Sequence, residues 1–188
     1  MKMTKVGFDI LRANLGRLTQ SQVNEINFLV GEFDKDKSIS YPQAAYMLAT
    51  TWHETATTML PIEEYGKGKG KKYGQHYDMD GSIYKGLDHI YYGRGYVQLT
   101  WLSNYVFARN KLGVDFVNNP DLVMKKEHAA NILITGMKEG WFTGRKLSDY
   151  MHQSKKDYVN ARRIINGMDK AAKIAGYADI FERALRSL

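Results

Sequence analysis

The sequence predicts a mainly α fold with a small hairpin or loop region. Three observations predict it. Prolines are few, at positions 42, 61 and 120 only. Two capping-box starts occur, Thr19 with Gln22 and Ser40 with Gln43. Most of the remaining chain carries apolar residues at helical spacing. The 188 residues fit one domain or a compact two-lobed one, taken here as a single catalytic-sized domain over 1–188. A composition of 44% hydrophobic and 25% charged residues, with both signs mixed, is that of a globular chain able to bury an ordinary core.

In chain order, Thr19 and Gln22 open a helix whose buried stripe is Val23, Ile26, Val30 and Phe33. Ser40 and Gln43, with Pro42 near the first turn, open a second helix, and AAYMLATTW is apolar nearly all round. This helix is expected at the buried centre. Thr55 to Thr58 are poor helix formers and Pro61 blocks continuation, which places Glu54 in or near the last turn. YGKGKGKKYGQHYDMDGS lacks helical period and reads as a loop or hairpin, with DMDGS at 78–82 a turn. IYYGRGYVQLTW is strand-like or turn-like. AANILITGM, DYVNARRIING and YADIFERAL read as helical, and no linker or repeat divides the chain.

Cysteine is absent, so disulfide frameworks, thiolate metal sites and cysteine nucleophiles are excluded. The net charge of +7 suits an acidic partner: nucleic acid, anionic lipid or an anionic wall polymer. The N-terminal stretch has no apolar core or cleavage site of a signal peptide, and nothing approaches a membrane span, so no membrane insertion is expected. Metal signals fail on inspection. After His53–Glu54, position 57 is Thr rather than the second His of a zinc motif. Asp34, Asp36 and Ser38 echo a calcium loop, but Ile39 and Ala45 occupy its glycine and glutamate positions. GKGKGKK has Tyr65 and Lys72 where a phosphate loop needs Gly and Ser or Thr. It is a solvated basic loop that suits adsorption to an anionic mesh.

Glu54 stands out by placement. A carboxyl seldom ends an all-round apolar helix unless it is paired or functional. The negative end of the helix dipole and burial both favour its neutral form, the form able to protonate a leaving oxygen. Glu63 and Glu64 lie past a proline-containing turn, and either can supply the second carboxylate of a glycoside-hydrolysing pair. In YYGRGYVQLTWLSNY, the glycines permit close backbone approach, Gln98, Thr100 and Asn104 offer hydrogen bonds, and the rings offer faces for sugars. The bland alternatives are a frayed helix end, a surface acidic pair and an aromatic hairpin packed into a core.

These pieces together resemble a known family. YYGRG, QLTW and NY between Tyr91 and Tyr105, WHET at 52–55 and ING at 165–167 are similar to the motifs of glycoside hydrolase family 19 in their family order. The chain looks most like the compact phage endolysins of that chitinase-like group. The resemblance implies a lysozyme-like α+β fold, two-lobed and mostly helical, with the hairpin region flanking an active-site cleft. It implies hydrolysis of β-1,4 bonds between N-acetylated amino sugars, with inversion. By matching positions, Glu54 is the acid, Thr100 helps hold the attacking water, and Gln98, Asn104 and Asn166 contact sugar. Glu64 is preferred over Glu63 as second carboxylate. His53, Glu63, Tyr92 and Arg94 join the substrate-binding set. No cofactor or metal is required. The glycines usual after the His–Glu pair are replaced by Ala56 and Thr57, and the tryptophan-rich second signature is absent. These departures turn the expected substrate from chitin toward peptidoglycan, acted on by a monomer released from the cytoplasm through a holin-like pore. Chitin hydrolysis, a noncatalytic glycan-binding module and a basic nucleic-acid-binding protein are the rivals, with no nucleic acid expected as partner.

Overall fold

The computed structural model describes residues 1–74 and 90–188; the expected DMDGS turn lies outside the described residues. The chain divides into two compact units, Met1–Met59 with Ile134–Leu188, and Leu60–Leu133. In chain order the elements are α1 (Lys5–Leu15), α2 (Gln20–Asp34), α3 (Tyr41–Glu54), β1 (Ile62–Glu63), β2 (Arg94–Gly95), α4 (Leu102–Leu112), a 3-10 turn at Pro120–Met124, α5 (Lys126–Glu139), α6 (Leu147–Tyr150), β3 (Met151–His152), β4 (Lys155–Lys156), a second 3-10 turn at Asn160–Ile164, and α7 (Ala171–Arg186). The fold is mainly α, as the patterning predicts. Among the described residues no helix is long and apolar enough to cross a membrane.

Both expected capping boxes form. Thr19 Oγ1 accepts the Gln22 N–H at 3.1 Å while Gln22 Oε1 accepts the Thr19 N–H at 2.8 Å. Ser40 and Gln43 exchange the same pair of bonds at the start of α3. Each box satisfies two N–H groups that would otherwise be orphaned, so the helix starts are fixed locally. Every residue from Ala44 to Trp52 is buried, making α3 the central element of the first unit. It packs chiefly on α7, which also receives α1. There Gly7 allows the approach, because a Cβ at this position would lie 2.6 Å from the Ala184 carbonyl oxygen.

The segment DYVNARRIING departs from expectation. In place of an α-helix it forms the 3-10 turn Asn160–Ile164, preceded by the two-residue hairpin β3–β4. The Asp157 carboxylate accepts both the Asn160 N–H at 3.0 Å and its side-chain N–H at 2.9 Å, a local bond pattern that competes with regular helix. In the second unit, β1 and β2 pair antiparallel with Ile62 opposite Gly95 and Glu63 opposite Arg94. This short ladder joins the expected acidic segment to the YGRG segment.

Candidate active site

In the first unit the site is built from the C-terminal end of α3. Glu54 is its last residue, with a side chain 18% exposed. Its Oε1 accepts from the Arg162 guanidinium at 2.7 Å. Arg162 is buried and held from its other side, Nε donating to the Asp169 carbonyl at 3.0 Å. The backbone of the same arginine accepts the Asn166 N–H at 3.1 Å, so Arg162 ties Glu54 to the ING segment. Dipole and partial burial therefore meet a cation that sequence reading missed. A charge-assisted bond from a rigid guanidinium fixes the carboxyl orientation through Oε1. His53 is half-buried, and burial pushes its imidazole below the ordinary value, with Arg162 and Lys173 reinforcing the shift against Glu54 and Asp169. The ring is accordingly neutral at neutral pH.

Directly after Glu54 the backbone is strained. Ala56, Thr57 and Met59 take left-handed φ values of 48°, 70° and 62°. For a residue with a Cβ this costs roughly 1 kcal/mol or more. The glycines common here in the resembled family would relieve that cost; this chain holds the turn by bonds instead. Thr57 N–H donates to the Trp52 carbonyl at 2.8 Å, Gln22 Nε2 donates to the Thr57 carbonyl at 2.8 Å, and Met59 N–H donates to Thr55 Oγ1 at 3.0 Å.

In the second unit the site centres on Gly93. The Glu64 N–H donates to the Gly93 carbonyl at 2.7 Å, and the Gly93 N–H returns a bond to Glu64 Oε2 at 3.0 Å. The Tyr73 hydroxyl donates to Glu64 Oε1 at 2.9 Å. A Cβ on Gly93 would lie 2.8 Å from Gln98 Oε1 and 3.2 Å from Thr100 Oγ1. The missing side chain thus lets Gln98 and Thr100 approach the glycine whose backbone binds Glu64. Gln98 is anchored by Nε2 on the Ile62 carbonyl at 2.9 Å, Thr100 by its hydroxyl on the Gln98 carbonyl at 2.8 Å, and Asn104 by Nδ2 on the Thr100 carbonyl at 2.8 Å.

The neighbouring Glu63 has different company, because consecutive residues of an extended chain face opposite sides. Its Oε1 accepts from the Tyr92 hydroxyl at 2.9 Å and its Oε2 pairs with Lys67 at 2.9 Å. The Lys67 bond, helped by Tyr92, holds the Glu63 carboxyl below the usual carboxylate range, so Glu63 is a weakened base. Among the described residues, Glu64 is held by two neutral donors and no ammonium group.

Arg94 is not exposed to a ligand. Its side chain is 3% exposed, with bonds to Asp121 at 3.2 Å, the Ile90 carbonyl at 2.7 Å and the Tyr105 hydroxyl at 2.9 Å. Its Cζ lies 3.6 Å from the Tyr92 ring centroid. The expectation of a sugar-contacting arginine is corrected: its donors are consumed inside the unit, where it braces Tyr92. The structure thus assembles Glu63, Glu64, Tyr92, Gln98, Thr100 and Asn104 in the second unit and His53, Glu54 and Asn166 in the first. Arg162, Tyr73 and Lys67 were not foreseen. The run ARRIING carried Arg162 in plain view, but only the fold reveals its partner 108 residues away.

Comparisons with known proteins bear on this arrangement. The family model described as chitinase class I, glycoside hydrolase family 19, matches residues 32–178. Chitinase 8 of Oryza sativa subsp. japonica is 46% identical over 57 residues, 30% of this chain and 22% of that protein. Inactive chitinase-like protein 1 of Hevea brasiliensis is 58% identical over 33 residues, 18% of this chain and 10% of that protein. The chain thus spans less than a quarter of either relative, and strong local likeness extends to a protein named inactive. Chitinase C from Streptomyces griseus HUT6037 shares the fold at a TM-score of 0.62 and 20% identity, over 95% of this chain and 92% of that one. With the family model spanning most of its length, including both carboxylate segments and the YGRG and ING segments, this chain belongs to glycoside hydrolase family 19.

Proposed function

We propose that the chain is a glycosidase hydrolysing β-1,4 bonds between N-acetylated amino sugars of bacterial peptidoglycan, with inversion at the anomeric carbon. Family membership supports the reaction class. The observation that carries the site assignment is the Gly93 cluster, where Glu64 is fixed by two neutral donors, one of them the Gly93 N–H, and Thr100 Oγ1 would lie 3.2 Å from a Cβ on the same glycine. Each oxygen of an ionised carboxylate has a further lone pair, and the Thr100 oxygen can accept as well. A water giving one hydrogen to Glu64 and the other to Thr100 points its lone pair at the anomeric carbon. Glu64 takes the proton as the carbon–oxygen bond forms. Glu54, steered by Arg162, gives its proton to the departing glycosidic oxygen. Gln98, Asn104 and Asn166 contact sugar, and acid and base side chains perform every step.

The +7 charge suits an anionic wall polymer over neutral chitin. Chitin oligomers are the second substrate, favoured because the relatives carry chitinase names. Mass spectrometry of digested sacculi tests the assignment: a new reducing end on either amino sugar is expected, and Glu54→Gln should abolish it while adsorption to walls persists. Cleavage confined to chitin oligomers would replace peptidoglycan with chitin. Unimpaired function in Glu54→Gln would identify a noncatalytic glycan binder.

A further inference from the structure

We propose that the loop Tyr65–Lys72 is a carboxylate-docking element, its lysines holding the acidic peptide substituents of peptidoglycan beside Glu64; this rests on the peptidoglycan assignment above. The loop has a defined shape. Lys67, Lys69 and Lys71 donate their N–H groups to the carbonyls of Glu64, Gly66 and Gly68 at 3.1, 3.0 and 2.9 Å. Gly66, Gly68 and Gly70 supply the left-handed φ values of 79°, 69° and 73° that these successive turns need. The alternation of glycine and lysine therefore encodes a ladder of turns that delivers one lysine every two residues.

The loop is rooted at the candidate base. It leaves from Glu64 and returns at Tyr73, whose hydroxyl bonds Glu64 and whose carbonyl accepts the Leu102 N–H at 2.7 Å. The Tyr73 ring also packs edge-on against Trp101, centroids 4.9 Å apart. Within the loop the cations are of two kinds. Lys67 is spent on Glu63 and cancels the charge that would repel an anionic ligand. Lys69, Lys71 and Lys72 are exposed, and among the described residues their ammonium groups are unpaired. Tyr65, 94% exposed, adds a ring face suited to a sugar. The backbone N–H groups of Lys67, Lys69 and Lys71 are consumed by the turns, so what these lysines offer is point charges on flexible stems. That chemistry fits scattered carboxylates on a flexible chain.

The test uses the Glu54→Gln protein, which holds substrate without turnover, against its K69Q/K71Q/K72Q derivative. Co-sedimentation is measured with teichoic-acid-free sacculi, with the same sacculi after carboxyl amidation, and with chitin, at low and high salt. The triple substitution should weaken retention on sacculi by roughly tenfold, on the scale of three exposed ion pairs. It should flatten the salt dependence and leave chitin retention unchanged. Amidation should remove the same increment, and K69R/K71R/K72R should restore it. Equal retention of both proteins on native sacculi would overturn the proposal, as would tighter, lysine-dependent binding to duplex DNA. Sacculus hydrolysis by the unaltered chain, followed separately, reports on the peptidoglycan assignment, whereas lysine-dependent retention on carboxylated sacculi reports on the loop.

Discussion

Replacing Gly93 with alanine tests the Glu64 cluster of the second unit most sharply. Gly93 has no positive φ, so alanine introduces no backbone strain. Its Cβ would stand 2.8 Å from Gln98 Oε1 and 3.2 Å from Thr100 Oγ1, forcing both side chains to move. Gln98 then gives up its bonds to the Ile62 carbonyl at 2.9 Å and the Gly95 carbonyl at 3.3 Å. Two such bonds are worth about 1–2 kcal/mol. For a chain of this size that lowers the melting temperature by about 2–8 °C. Activity should suffer as well: a shift of a few tenths of an ångström at Thr100 Oγ1 is a fraction of the ~1 Å misplacement that costs on the order of a hundredfold, so a fall of roughly threefold to tenfold in rate is expected. The assay pairs calorimetry with single-turnover hydrolysis of sacculi or amino-sugar oligomers. A rate within about twofold of the parent, in a crystal structure with Thr100 displaced, would refute Thr100 as the water's second anchor.

Arg162→Met leaves the partly buried Glu54 carboxyl without its cation; a loss of about 2–3 kcal/mol in stability is expected, with kcat falling more than KM rises. Calorimetry and steady-state kinetics check it. The depressed His53 value means that the unfolded chain binds this proton more readily, so its contribution to stability is present above about pH 6.5 and is lost on acidification. An imidazole titration by NMR should give a midpoint below 6.5, and His53→Asn should flatten stability against pH in that range. Asp36, bonded by Lys138 and Ser38, has its carboxyl lowered to about 2. Its stabilisation should persist above about pH 4 and fade as pH drops toward 2, a fading that Lys138→Met removes in acid-unfolding curves.

Much of this was legible because the signals were local. The two capping boxes and the apolar run before Glu54 fix α2 and α3 from residues within one turn of each other, and Pro61 with the threonines marks where α3 stops. Long-range pairings were not legible. Arg162 reaches Glu54 across 108 residues of chain, and the sequence suggests Arg94 as a sugar contact because nothing local shows that Asp121 and Tyr105 will engage its guanidinium. The choice between Glu63 and Glu64 rests on Lys67, Tyr73 and the Gly93 N–H, whose roles depend on where the loop turns. Asp157 capping Asn160 tightened a helical-looking run into a 3-10 turn, a competition that apolar periodicity does not register.

Proton NMR of the freshly cleaved reducing end, read before mutarotation, tests the mechanism most directly. Water held by Glu64 and Thr100 while Glu54 protonates the leaving oxygen yields the α anomer first from a β-1,4 bond. Initial β product, or unchanged cleavage by Glu54→Gln, would contradict it.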